Sequence, residues 1–90
     1  MKSRRDRIDV IYDILTAIEG EGGSIKPTHL LYKSNLSYKL LSSYMAELMR
    51  RGVIREELVK RKKVIVLTED GKKFISELRK MKRFLESFGL

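Results

Sequence analysis

The hydrophobic period of this chain changes twice, and that constrains its fold more than any other feature. Up to Arg51 the apolar residues recur at intervals of three and four, which places them on one side of an α-helix. From Val53 to Leu67 they are largely β-branched, in "VIREELV" and "VIVL", on either side of the cationic run Lys60-Arg61-Lys62-Lys63. From Phe74 onward the spacing of three and four returns. Two short strands around a polar tip, set between helices, satisfy both patterns. The expected class is α+β, mostly α: three helices, a β-hairpin and a C-terminal helix. The cationic run lacks the Asn-Gly or Asp-Gly pair of a tight two-residue turn, so the loop length is left open.

The first helix is expected over residues 6–19. Ile8, Ile11, Tyr12, Leu15 and Ile18 form one face, Val10 and Ile14 widen it, and the glycines of "EGEGG" stop it. A two-turn helix begins near Pro27, whose missing N–H costs nothing in a first turn, and ends near Ser34 with Leu30 and Leu31 inward. The third helix follows Ser37, a good N-cap, with Leu41, Tyr44, Met45 and Leu48 as its inner stripe. Gly52 is placed to end it in a left-handed conformation. A short helix, a tight turn and a longer amphipathic helix make a helix-turn-helix. Thr68 caps the last helix, with Glu69 and Asp70 favourably placed in its first turn. Phe74, Leu78, Met81, Leu85 and Phe88 then recur at four, three, four and three, an a/d seam of about two heptads with Ile75 and Phe84 beside it.

Charge narrows the function. The net charge is +8, and residues 25–63 carry ten Lys and Arg against Glu47, Glu56 and Glu57. Polyanions are the natural partners of such a segment, nucleic acid first and an anionic membrane surface second. Cysteine is absent, which excludes disulfides and thiolate metal sites, and the single histidine, His29, has no carboxylate cluster near it in sequence. No nucleophile–base pair, metal cluster or phosphate-binding glycine loop appears, so neither enzymatic activity nor a cofactor, metal or small-molecule ligand is expected. No apolar run reaches the length of a membrane span, and no apolar segment follows the basic start Met1-Lys2-Ser3-Arg4-Arg5. The expected location is cytoplasmic and chromosome-associated. Charged residues make up 36% of the chain, glutamine is absent and Asn35 is the one asparagine, a bias of hyperthermophile proteins.

The outward set of the third helix is Lys39, Leu40, Ser42, Ser43, Glu47 and Arg50. In a helix-turn-helix the N-terminal part of the second helix meets base edges in the major groove. Ser37, Tyr38, Lys39, Ser42, Ser43 and Arg50 are therefore candidate DNA contacts, of which Lys39 and the serines can reach base edges. Bidentate readers are missing from its N-terminal part, so modest direct readout is expected. The alternative is a solvated face. At the hairpin, Arg61, Lys62 and Lys63 suit the phosphate backbone or an adjacent minor groove, or else blunt edge pairing at a charged tip. The free N–H groups at Pro27-Thr28 form a natural phosphate site, to which Thr28 and Lys33 can add. Lys2, Arg4, Arg5 and Arg7 form an arm that either reaches phosphates or is a solvated end.

The segments "KPTHLLYKSNLSYKLLSSYMAELMRRGVI" and "LTEDGKKFI" resemble the small archaeal winged helix-turn-helix regulators and chromatin proteins. Leu36-Ser37-Tyr38 opens the recognition helix of that pattern and Leu67-Thr68-Glu69-Asp70-Gly71 its last helix, with Tyr32, Asn35 and Tyr44 adding to the likeness over roughly residues 8–80. Leu40 departs from it, standing where the family usually has a polar residue. The resemblance implies residues 1–68 as a winged helix-turn-helix DNA-binding domain and 69–90 as a dimerisation helix. Met81, Leu85 and Phe88 are the candidate interface of a homodimer. It implies a dimeric transcriptional regulator on double-stranded DNA, with recognition helix 38–51 in the major groove and wing 58–66 alongside. A chromatin-coating protein and a protein-interaction winged helix are the alternatives.

Overall fold

The computed structural model describes residues 6–90. Helix α1 spans Arg7–Gly20, strand β1 Ser24–Ile25, helix α2 Pro27–Ser34 and helix α3 Tyr38–Arg50. Strands β2 (Ile54–Val59) and β3 (Lys62–Leu67) form the hairpin, and helix α4 runs Glu69–Ser87. The strands make one antiparallel sheet in the order β1-β3-β2. The expected helices and hairpin are all present, and the class is α+β with helix predominating.

Local chemistry sets the ends. Asp6 is the N-cap of α1 rather than its first residue: its carboxylate accepts from the Asp9 N–H at 2.9 Å, and the Asp9 carboxylate accepts from the Asp6 N–H at 3.4 Å. Ser37 caps α3 by accepting from the Leu40 N–H at 3.1 Å. That helix ends one residue earlier than expected, at Arg50, and Gly52 follows with φ +77°.

Two features of the sheet were not given by local signals. Strand β1 was not anticipated, because two residues are too few to show a period; Ser24 and Ile25 pair with Val66 and Ile65. The hairpin closes through a two-residue turn. Lys60 and Arg61 have φ +53° and +69°, as in a type I′ turn, although neither is a residue that favours it. Lys62 and Lys63 therefore belong to β3, and the strands run 54–59 and 62–67, close to the expected hairpin.

Ile14, Leu15, Ile18, Leu30, Ile54, Ile65 and Ile75 are fully buried and form the centre of the core. Of the inner stripe expected on α3, Leu41 and Leu48 are buried, whereas Tyr44 and Met45 pack against the core only in part. Ile8, expected on the inner face of α1, is 42% exposed because it lies in the first turn, beyond the buried run that starts at Val10. On α4 the buried positions are Gly71, Ile75 and Leu78, so the first half of this helix belongs to the core.

Gly71 is where α4 touches the rest of the domain most closely. A Cβ there would collide with the Val53 carbonyl oxygen and lie 2.7 Å from Leu67 Cδ1. Thr68 reinforces the joint: its Oγ1 accepts from the Gly71 N–H at 3.0 Å and donates to the Gly52 carbonyl at 2.6 Å. Its backbone N–H also donates to the Val53 carbonyl, at 3.1 Å. Further along, Arg79 Nη2 donates to Glu19 at 2.7 Å and its Nε to Tyr12 Oη at 3.3 Å. Lys82 reaches Asp9 at 3.2 Å and lies 5.1 Å from the centre of the Tyr12 ring.

Gly71→Ala is expected to cost about 2 kcal/mol and lower the thermal midpoint by about 10 °C. Gly20→Ala, which meets open space, should leave the midpoint unchanged or raise it; thermal unfolding by circular dichroism checks both. The hydrogen bond from Lys82, then that from the Asp6 backbone, holds the Asp9 carboxyl below its usual range. A lowered folded pKa contributes stability above the unfolded value of about 4, and that stability is lost as pH falls through the folded value. The difference in thermal midpoint between the native chain and Asp9→Asn should therefore be present at neutral pH, shrink as pH falls past the ordinary carboxylate range, and vanish once pH is below the lowered folded value.

Candidate nucleic-acid interface

Three elements converge on one side of the molecule. The start of α2, the outer face of α3 and the hairpin enclose a groove of about 320 Å³. Thr28, Tyr38, Ser42 and Lys63 line it, over an apolar floor that includes Leu31 and Met45. These four candidate contacts are thus brought together from three separate segments. Tyr38 is 75% exposed at the mouth. Lys39 is exposed on the adjoining turn of α3, and so is Ser37 at its cap. The Ser37 hydroxyl oxygen is committed to the cap, which leaves its O–H to donate outward.

The other flank of α3 is different. Ser43 and Arg50 border a second depression with Arg7, Leu40, Tyr44 and Glu47. Glu47 is the hub of this flank. It accepts from Arg50 Nη2 at 2.6 Å and from Arg51 Nε at 2.8 Å, with Arg7 at 3.7 Å. Arg7 also sits 5.6 Å from the centre of the Tyr44 ring. The hydrogen bond from Arg51, then that from Arg50, holds the Glu47 carboxyl below its usual range. Arg50 is therefore already paired, and sequence reasoning missed this because Glu47 looks like one acid on a basic helix. The spacings of three and four to Arg50 and Arg51 were the available signal. The remaining arm residues, Lys2, Arg4 and Arg5, lie outside the described residues.

Lys33 stands apart from the groove. Its Nζ lies 3.0 Å from Glu21, which also approaches His29 at 3.9 Å, and it borders a depression with Asp13, Thr16 and Asn35. Lys63 faces Glu56 at a loose 3.8 Å across the hairpin. Lys39, Lys60, Arg61 and Lys62 have no carboxylate within 4 Å among the described residues. The two-residue turn puts Lys60, the first residue of the cationic run, beside Arg61 at the extreme tip. Among the described residues there is no cluster of metal-ligating side chains, and no helix is long and apolar enough to cross a membrane.

Three helices, a hairpin flanking the second helix of a helix-turn-helix, and a fourth helix leaving the domain define a winged helix-turn-helix. The winged helix-turn-helix family profile matches residues 4–86, and the chain belongs to this family, one of binding proteins and not of enzymes. An uncharacterized protein of Methanocaldococcus jannaschii is 36% identical over 84 residues, spanning 93% of this chain and 80% of that one. The structure resembles Sso10a-2, a DNA-binding protein from Sulfolobus solfataricus, with a TM-score of 0.79 at 20% identity over 93% of this chain and 85% of the other. It also resembles F93 from STIV, a winged-helix DNA-binding protein, with a TM-score of 0.77 at 26% identity over 89% and 92%.

The turn itself generates a prediction. Residues other than glycine and asparagine are strained at positive φ, by about 1 kcal/mol each. Replacing Lys60-Arg61 by Asn-Gly should relieve that strain, offset in part by the chain entropy glycine loses on folding, and raise stability by about 1 kcal/mol net, read as a higher midpoint in urea unfolding with the slope unchanged.

Proposed function

We propose that this protein is a dimeric transcriptional regulator that binds double-stranded DNA. Helix α3 enters the major groove, and the hairpin lies on the neighbouring backbone or minor groove. The observation that carries this reading is the distribution of unpaired charge. Lys39 at the start of α3 and Lys60, Arg61 and Lys62 at the hairpin tip have no carboxylate partner among the described residues, whereas Arg50, Arg51 and Lys33 are held by Glu47 and Glu21; Lys26, Lys73 and Arg83 also lack one, but only Lys26, at the α2 cap, lies next to the groove-lining residues in the chain. Cations left unpaired on one face are available to phosphates. Sso10a-2 and F93 are named as DNA-binding proteins, which supports the same partner.

Within this reading Thr28 and the α2 N-terminus hold a phosphate, and Tyr38, Lys39, Ser42 and Ser43 face the bases. Arg50 and Lys33 contribute only by leaving their carboxylates. Residues 1–68 are the DNA-binding unit, and the far half of α4 is the dimerisation element. Met81, Phe84, Leu85 and Phe88 are exposed there, with Phe88 67% exposed and its ring 5.0 Å from that of Phe84. A second copy would remove this apolar patch from water. A chromosome-associated location follows from the same reading.

Fluorescence anisotropy on mixed-sequence duplex DNA at several salt concentrations tests the partner. If six phosphates are neutralised, log K should fall against log salt with a slope of about −5. Lys39→Glu combined with Lys62→Glu should abolish binding with folding intact; unchanged affinity would defeat the proposal. A specific-to-non-specific ratio of ~10³ or more marks a site-selective regulator rather than a general coating protein. Leu85→Glu should convert a dimer to a monomer in sedimentation equilibrium.

A further inference from the structure

Leu58 stands two residues before the hairpin turn and is 76% exposed. A single exposed leucine is ordinary on a protein surface. Its place on this strand is what gives it meaning. Side chains alternate along a strand, so Ile54, Glu56 and Leu58 share one face of β2. The register puts Leu67, Ile65 and Lys63 opposite them, on the same face. Ile54, Ile65 and Leu67 are buried, which makes this the inner face of the sheet. Further out on this face come Glu56, opposite Ile65, and then Lys63, opposite Leu58 itself; Glu56 and Lys63 both line the groove with Tyr38 and Ser42. Leu58 therefore continues the groove-lining face, past the end of the core, on the side that α3 also presents.

Its neighbours decide what it meets there. Lys63 lies directly across the hairpin, and Lys60, Arg61 and Lys62 complete the tip. The acids of β2 are engaged below it: Glu57 with Arg55 at 2.7 Å, and Glu56 loosely with Lys63. An apolar side chain set among cations matches a surface that is anionic but not uniformly polar. The backbone of duplex DNA is such a surface, with deoxyribose carbons between successive phosphates. We propose that Leu58 is a specific apolar anchor of the hairpin: its side chain packs against the deoxyribose wall of the DNA groove that receives the tip, while the flanking cations hold the phosphates on either side. This rests on the DNA-binding reading above and names a residue that the charge argument does not contain.

An apolar contact releases no counterions, and that separates it from every charged residue of the tip. Affinity for duplex DNA, measured across a range of salt concentrations, is the test. Leu58→Ala should bind about tenfold more weakly at each concentration, in a line parallel to that of the native chain. Lys62→Ala should give a line shallower by about one unit of slope. Leu58→Met should stay within about twofold of native, while Leu58→Gln, of similar size but polar, should be as weak as the alanine variant. The thermal midpoint and sedimentation behaviour of Leu58→Ala should match those of the native chain, since the side chain covers little of its own protein. Native affinity in Leu58→Ala or Leu58→Gln, or a changed slope, would overturn the assignment while leaving DNA binding in place. A changed association state in Leu58→Ala would overturn it in favour of a contact between copies. Failure of the native chain to bind duplex DNA at low salt would overturn the DNA reading and this proposal with it.

Discussion

Everything the hairpin and α4 can do depends on one close contact, the seating of Gly71 against the Val53 carbonyl. Here the end of α3, the start of β2 and the start of α4 meet within a few residues. Thr68 spans the meeting point with its side chain, donating to Gly52 and accepting from Gly71. Its backbone closes on Val53, and the Leu67 N–H closes on the Gly23 carbonyl at 2.9 Å, which ties in the loop after α1. A helix start has free N–H groups that need acceptors, and a helix end has free carbonyls that need donors. The Thr68 hydroxyl links the two ends, capping the Gly71 N–H of α4 and donating to the Gly52 carbonyl just past α3. The joint thereby fixes the angle at which the hairpin leaves α3, and hence the groove between them.

The ion pairs divide the basic surface into two kinds. Exposed pairs contribute little to stability, typically below about 1 kcal/mol. Their greater consequence here is to occupy cations. Glu47 gathers Arg7, Arg50 and Arg51 on one flank of α3, and Glu21 holds Lys33 behind α2. Asp9 and Glu19 hold Lys82 and Arg79 along the α1–α4 seam. The hairpin tip and the start of α3 receive no such partner among the described residues. The placing of a few carboxylates thus leaves the cations at the hairpin tip and the start of α3 unneutralised, while those on one flank of α3 and along the α1–α4 seam are held.

Much of this was legible in advance. The return of the helical period after Thr68, the cap residues Ser37 and Thr68, and the stop at Gly52 are local signals, and each lies within one or two residues of where the structure has it. The groove residues Tyr38, Ser42 and Lys63 could be named because helix and hairpin periods say which side chains point outward. The rest was hidden for definite reasons. Strand β1 has no propensity signal of its own and exists because β3 offers it an edge. The turn at Lys60-Arg61 runs against local preference, and the register of twelve strand residues overrides that preference. The pairing of Lys33 with Glu21 joins two segments that only the fold brings together.

The amino-acid sequence by itself determined the elements, their order, the positions of their caps and the excess of positive charge in the middle of the chain. These depend on interactions within a turn or two of backbone, where neighbours in sequence are neighbours in space. Tertiary structure decided which cations stay free, which candidate residues share a groove, and that Leu58 stands on its face. Those outcomes turn on strand register and on contacts between residues far apart in the chain, such as Arg79 with Glu19 and Gly71 with Val53. No local pattern records such contacts, because their geometry exists only once the elements have packed.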